Sequence, residues 1–253
     1  MIVLGDRVLR VLEGVGELGI LALRTVGVTG RRRFPFREIL VQFESIVVRS
    51  VTIVTITALF TGMVLALQTV ASLTRFGAKP YTGSFVGLAF VLELGPVLTA
   101  LMVSGRVGAG IAAELGSMAV TEQVDAIRAM GADPVQKLVL PRVIALTLGL
   151  PLLTMLANIL GIAGGLLIAQ QYGITANFYI QSVVNVLEVS DVLSSLGKTF
   201  VFGWIIATVG CYLGLTTRGG TVGVGRATTA AVVTASIAVL VSDFFLTKLI
   251  LLL

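Results

Sequence analysis

The chain has 253 residues, of which 56% are hydrophobic and only 12% charged, and its mean hydropathy is +1.03. A soluble domain carries about twice that share of charged residues, and several apolar runs here exceed about 18 residues, so we predict an all-α integral membrane protein. The net charge of +5 is explained by basic residues at the inner membrane surface, not by nucleic acid.

The N-terminal segment, residues 1–45, is predicted to lie in the membrane interface. Residues 1–30 are apolar, but a charged helix face interrupts them, which favours an amphipathic interfacial helix over a buried one; this face carries Asp6, Arg10, Glu13, Glu17 and Arg24. Arg31–Arg33 form a basic, lipid-facing anchor. Pro35 suits the first turn of an elbow helix over residues 35–45 that enters the bilayer.

Residues 46–252 are predicted to form a bundle of five transmembrane spans. The spans cover Ile46–Val70, Gly83–Val120, Val143–Ala169, Leu193–Leu215 and Ala230–Leu252. Residues 170–192 are expected to be a polar loop and Thr216–Thr229 a glycine-rich turn. Most Lys and Arg residues fall on one side if the N-terminus is cytoplasmic and the C-terminus is outside; this arrangement leaves Arg75, Lys79, Lys198 and Lys248 on the outer side.

Span two is too long for a bilayer. Its roughly 38 residues would extend about 57 Å, against a hydrocarbon core of about 30 Å. We expect a break at Gly95-Pro96, because proline removes a helical hydrogen bond. Arg106 and Glu114 are expected at or beyond the inner interface. Two stripes of small residues predict close helix packing; they are Gly105, Ala109, Ala113 and Ser117, and Gly108, Ala112 and Gly116.

Residues 121–137 are predicted to form a short polar hairpin on the inner side. Thr121 is the expected N-cap of its first helix, Gly131 the expected terminator, and Asp133-Pro134 the start of the next helix. Val124, Ile127 and Met130 form an apolar stripe on this helix. A helix of about nine residues is unstable alone in water, so it must pack against another surface.

Glu93 is the strongest candidate for a functional residue. It lies about 15 Å from the outer end of span two, beside the expected break. An acid at that depth is costly unless it faces a cavity or a partner. Glu93 therefore either lines a substrate path or is hydrogen-bonded by Gln68 or a threonine of a neighbouring helix. Asp243 in span five presents the same choice.

Other kinds of site find little support in the sequence. The chain has no histidine and a single cysteine, Cys211, in an apolar run, which disfavours a metal site or a disulfide framework. Gly219–Gly225 lacks the Gly-Lys-Ser/Thr ending of a phosphate loop. No serine, histidine and aspartate set is available for nucleophilic catalysis, so we expect neither catalytic residues nor a bound cofactor.

Two stretches resemble one family. ELGPVLTALMVSGRVGAGIAAELGSMAVTEQVDAIRAMGADPVQKLVLPR over residues 93–142 closely resembles the MlaE-type permeases of ABC transporters that move phospholipids between bacterial membranes, and TRGGTVGVGRATTAAVV over 217–233 resembles their second characteristic stretch. The resemblance implies one permease domain over residues 1–253, multi-pass in the inner membrane, within a system that maintains outer-membrane lipid asymmetry. Leu92 stands where many relatives have arginine, so headgroup recognition by an arginine is not expected there.

The resemblance also implies partners and roles. Such permeases are homodimers that work with two cytoplasmic ATPase subunits, which bind the ATP, and with a periplasmic MCE-domain ring; some systems add a STAS-domain subunit. Substrate would contact Glu93, Gln68 and Pro96. The hairpin would dock on the ATPase through Glu122, Val124, Asp125, Ile127, Arg128 and Met130.

Three alternatives stay open from the sequence alone. The substrate could be a sterol or another hydrophobic molecule in place of a phospholipid. The chain could also be a self-contained channel, which would conduct without an ATPase, or a membrane-embedded lipid enzyme, which would need a catalytic set.

Overall fold

The computed structural model describes residues 2–29 and 36–252, with side chains of the first helix described for residues 13, 14 and 16–28. Five helices in this part of the chain are long and apolar enough to cross a membrane, which confirms the predicted all-α membrane architecture. We keep the names span one to span five for them; they cover Phe36–Thr74, Lys79–Val120, Val135–Gln171, Val189–Leu215 and Gly220–Leu252.

The N-terminal segment is helical over Ile2–Thr29, although its predicted place in the membrane interface stays a prediction. The predicted elbow helix is present as Phe36–Phe43, and a π-helical turn over Glu44–Val48 joins it to the α-helix Arg49–Thr74. The elbow helix and the rest of span one therefore form one continuous helix. Arg31–Arg33 and Pro35 lie outside the described residues.

Span two is widened where a break was predicted. A short 3-10 helix, Lys79–Tyr81, leads into α-helical segments that alternate with the π-helical turns Phe90–Leu94 and Ser104–Gly108; the α-helical segments are Thr82–Ala89, Gly95–Val103 and Ala109–Val120. The break predicted at Gly95-Pro96 is wrong. Pro96 sits in the first turn of an α-helical segment, where its missing N–H is tolerated because the wide turn before it has already displaced the hydrogen-bond register.

Small residues hold the spans together. Gly62 of span one lies against the backbone of Gly161 in span three, where any side chain would clash. In the same way, Gly210 of span four approaches the carbonyl of Gly108, so the stripe formed by Gly108, Ala112 and Gly116 packs closely, as predicted. The other predicted stripe is more open, since no heavy atom lies within 4 Å of a side chain added at Gly105.

Two predicted loops are largely helical. Residues 170–192 contain the helix Ala176–Val186, whose Tyr179 is fully buried and packs against Gly165 of span three. The turn predicted over Thr216–Thr229 is much shorter, because span five begins at Gly220. Glycine is common in membrane-spanning helices, where the absence of competing water favours backbone hydrogen bonds within the helix.

The hairpin between spans two and three is present, with a different start from the predicted one. Its helix covers Gln123–Ala129. Thr121 is not the N-cap: it ends span two, and its hydroxyl donates to the Ser117 carbonyl at 2.8 Å. Gly131 is left-handed (φ +77°) and Asp133 accepts the Val135 N–H at 3.0 Å, as expected for a terminator and a cap. Span three then begins with the π-helical turn Val135–Val139 and continues as the α-helix Leu140–Gln171. We call this end of the bundle the hairpin end and the opposite one the far end.

Candidate functional site within the bundle

A charged cluster joins spans two, four and five. The Lys198 ammonium lies 2.9 Å from Glu93 Oε1 and 3.3 Å from Asp243 Oδ1. It also donates to the Leu92 carbonyl at 3.2 Å and to Thr247 Oγ1 at 2.6 Å, and the Thr247 hydroxyl in turn donates to Glu93 Oε1 at 3.2 Å. We call Glu93, Lys198, Asp243 and Thr247 the intramembrane cluster.

The cluster carries more acid than base. Two carboxylates share one ammonium, so its formal charge is −1 when all three groups are ionised. Lys198 is only 4% exposed, and it is stable there because carboxylate and carbonyl oxygens surround it. Asp243 is 16% exposed, and its Oδ1 accepts no hydrogen bond from the described residues.

Glu93 is the open member of the cluster. Its side chain is 43% exposed, whereas its two charged partners are largely enclosed. Counted at about 1.5 Å per residue from the far ends of their spans, Glu93 lies about 21 Å deep, and Lys198 and Asp243 about 14 Å deep. The surplus carboxylate is therefore presented from within the membrane-spanning part of the bundle.

The other two predicted substrate contacts do not share this position. Pro96 is buried, in the helix that follows the widened turn of Glu93. Gln68 is exposed on span one, and the hydrogen bonds that Glu93 makes go to Lys198 and Thr247. The crevice nearest to this turn encloses only about 10 Å³ between spans one, two and three. Within the described residues, one copy of the chain thus offers an open polar face at Glu93, and the crevice beside its turn is too small to enclose a lipid.

Sequence reasoning missed Lys198, which it placed with the outer-side charges. A signal was available: Lys198 lies inside the predicted span four, and two unpaired acids, Glu93 and Asp243, lay inside other spans. Counting intramembrane charges and requiring each to have a partner would have paired them.

The hairpin divides its predicted docking residues into two groups. Val124 and Ile127 are 5% and 8% exposed and belong to the apolar core of the bundle, so they anchor the hairpin helix to its own chain. Met130 is 73% exposed at the end of that helix. The charged members also face outward: these are Glu122, Asp125 and Arg128, of which the last two form an exposed ion pair of 2.9 Å.

An ion pair between a buried arginine and an exposed glutamate ties together the two spans that carry the hairpin. Arg142 at the start of span three is 4% exposed, and its Nη2 lies 2.7 Å from Glu114 Oε1 near the end of span two. Its Nη1 donates to the Leu138 carbonyl at 2.6 Å. Arg24 of the N-terminal helix lies 3.3 Å from Asp133 beyond the hairpin helix. A displacement of the hairpin would therefore move spans two and three together.

Five spans, a short polar hairpin tied to two of them and a charged cluster inside the bundle are features expected of the membrane subunit of a transporter. Comparison with known proteins identifies the class: the family described as Permease MlaE matches residues 39–249, so the chain belongs to the MlaE permease family. A probable ABC transporter permease protein of Rickettsia bellii is 40% identical over 97% of this chain and 95% of its own length.

Two further relatives extend the comparison. A probable ABC transporter permease protein of Synechocystis sp. is 46% identical over 84% of this chain and 81% of its own length. The Arabidopsis thaliana protein named TRIGALACTOSYLDIACYLGLYCEROL 1, chloroplastic, is 38% identical over 98% of this chain and 66% of its own length. The chain is thus similar to permease subunits of ABC transporters, a name that implies an ATPase partner.

Proposed function

We propose that this chain is the permease of an ABC transporter that moves phospholipids between the inner and outer membranes of a bacterium. The observation that carries the proposal is the open carboxylate of Glu93, held by Lys198 and Thr247 inside an otherwise apolar bundle. A polar group at that depth suits a substrate with a polar head and apolar tails, because it offers the head a partner within the membrane.

The chemistry of the cluster favours a phospholipid headgroup. Glu93 can accept hydrogen bonds from a headgroup ammonium or hydroxyl, and Lys198 can attract a phosphate once the carboxylate shifts away from it. Pro96 and the wide turn before it make this part of span two deformable. A lipid bound at Glu93 that extends along span one would also contact Gln68.

A homodimer would complete the substrate cavity. Only 11% of the most apolar stretch of span five is buried within one chain, and Phe244 and Phe245 are exposed beside Asp243. Two copies that face each other across this side would enclose the two Glu93 carboxylates and cover the aromatic side chains. The lipid would then lie between the copies.

The hairpin would bind the ATPase and transmit its conformational change to the bundle. We place the N-terminus in the cytoplasm and the C-terminus in the periplasm, which puts the exposed Met130, Asp125 and Arg128 where a cytoplasmic ATPase can reach them. ATP would be bound by that partner, and this chain would need no cofactor of its own. At the far end, the cavity would open toward a periplasmic MCE-domain ring; a STAS-domain subunit could bind at the cytoplasmic side.

The lipid class gains support from a relative. The printed name of the Arabidopsis thaliana relative contains that of a galactolipid, trigalactosyldiacylglycerol. A two-tailed glycerolipid therefore suits this chain better than a sterol, whose single hydroxyl would offer the open Glu93 carboxylate one hydrogen bond and no charge.

Reconstitution separates the remaining candidates. The assembled complex is placed in proteoliposomes with a labelled phospholipid in one reaction and a labelled sterol in another, with and without ATP. We expect ATP-dependent transfer of the phospholipid only. Sterol transfer in its place would overturn the phospholipid assignment, and lipid or ion flux through the permease alone, without its ATPase, would identify a channel.

A further inference from the structure

A second polar cavity lies at the hairpin end, between span one and span two. It encloses about 210 Å³. It is lined by apolar residues and by five polar ones, which are Gln42, Ser45, Arg49, Arg106 and Glu114. This cavity is separate from the intramembrane cluster and shares no residue with it.

The two arginines of this cavity form no ion pair with any described carboxylate. Arg106 Nη1 donates to Ser50 Oγ at 2.6 Å, a neutral partner, and Arg49 is exposed. The acid on the same wall, Glu114, is already held 2.7 Å from the buried Arg142. The cavity therefore presents two guanidinium groups that are not engaged in an ion pair with a described residue, beside one carboxylate that is already paired with Arg142.

The depth of these arginines corresponds to the lipid headgroup level. Counted from the far ends of their spans, Arg49 lies about 38 Å and Arg106 about 40 Å along the helix, beyond a hydrocarbon core of about 30 Å. A ligand in the cavity would meet polar side chains together with apolar ones such as Ile46 and Ile111.

We propose that this cavity binds the phosphate of an anionic phospholipid in the leaflet at the hairpin end. Guanidinium groups recognise phosphate oxygens through paired, charge-assisted hydrogen bonds. Gln42 and Ser45 add hydrogen-bond donors to the lining of the same cavity. The site differs from the intramembrane cluster in charge and in depth, so the lipid it holds is a resident lipid of this leaflet and not the cargo at Glu93.

Lipid retention tests this site without reference to transport. The full-length permease in its assembled complex is placed in phosphatidylcholine nanodiscs that contain a minor fraction of phosphatidylglycerol, extracted, and analysed by native mass spectrometry. In Arg49→Gln/Arg106→Gln we expect about tenfold less retained phosphatidylglycerol or a larger loss, because each lost charge-assisted contact weakens binding. The single variant Arg49→Gln, at an exposed residue, should lose part of the retained phosphatidylglycerol. It keeps the site testable if the double variant fails to assemble.

A matched control removes two positive charges elsewhere. Arg75→Gln/Lys79→Gln, at the far end, changes the net charge equally and should leave retention unchanged. Equal retention by Arg49→Gln and by the unaltered protein would overturn the proposal, as would equal losses in the cavity variants and the far-end control. Saturable binding of inorganic phosphate in pure phosphatidylcholine nanodiscs, without selective retention of phosphatidylglycerol, would overturn the lipid as the source of the phosphate.

Discussion

The two polar regions of the bundle, the intramembrane cluster and the cavity at the hairpin end, carry surplus charge of opposite sign. In the intramembrane cluster, Lys198 is enclosed and surrounded by oxygens, and acid is in surplus. At the hairpin end, Arg49 and Arg106 carry no ion pair with a described residue, and base is in surplus. Charge within the hydrocarbon depth must be compensated by the protein, whereas charge at the headgroup level can be left for lipid or solvent. Removal of the shared cation should therefore have a large effect on stability in the first region, whereas removal of an exposed charge should have a small effect in the second.

The largest effect is expected from Lys198→Met. It leaves Glu93 and Asp243 close together without their shared cation, and removing one partner from a buried ion pair costs about 3–5 kcal/mol. Thermal melting of the purified permease should show a strongly lowered midpoint or no folded protein. Lys248→Met is the matched control at an exposed lysine of span five. Equal melting of the two variants would show that the cluster does not stabilise the bundle.

An intermediate effect is expected at the hairpin. Ile127→Ala removes a buried side chain from the core, at about 2–5 kcal/mol. The hairpin helix should loosen, and co-purification of the ATPase should fall with it. Met130→Ala, at the exposed end of the same helix, should weaken ATPase binding while the melting midpoint stays unchanged. If Met130→Ala lowers the midpoint as much as Ile127→Ala does, the division into anchoring and docking residues is wrong.

The smallest effect is expected from Arg128→Ala. Its ion pair with Asp125 is exposed on both sides, at 63% and 68%, so its loss should change the free energy of unfolding by less than about 0.5 kcal/mol. Any weakening of ATPase binding by this variant would then report a contact with the partner. A lowered melting midpoint would contradict the expectation that this exposed ion pair stabilises the chain little.

The sequence predicted the spans well, because hydropathy is a local property along the chain. It predicted Glu93 as a candidate for the same reason, since an acid in an apolar run is visible in one dimension. Lys198 was missed because it was counted with the outer-side charges. The charges inside three spans signal a pairing, but its geometry, with Lys198 between Glu93 and Asp243, depends on how those spans pack.

The hairpin shows the same limit. Its helix and its terminator Gly131 were predictable from local residue types. The direction in which its apolar stripe faces was not predictable. From the sequence, Val124 and Ile127 could have faced either a partner or the bundle, and only the packing of the chain shows that they face the bundle. The wide turn before Pro96 was likewise unpredicted, since a proline signals a lost hydrogen bond but not whether the helix breaks or widens there.

The most direct test of the account compares Glu93→Gln with Asp243→Asn in the lipid-transfer assay and in thermal melting. Both variants remove one negative charge from the same cluster and leave one acid to pair with Lys198, so the assembled complex should form in both cases. We predict that Glu93→Gln melts like the unaltered protein yet loses most phospholipid transfer, because only Glu93 is open to the substrate, whereas Asp243→Asn retains far more. Transfer by Glu93→Gln at the unaltered rate, or equal losses in both variants, would contradict the role of Glu93 in contacting the lipid.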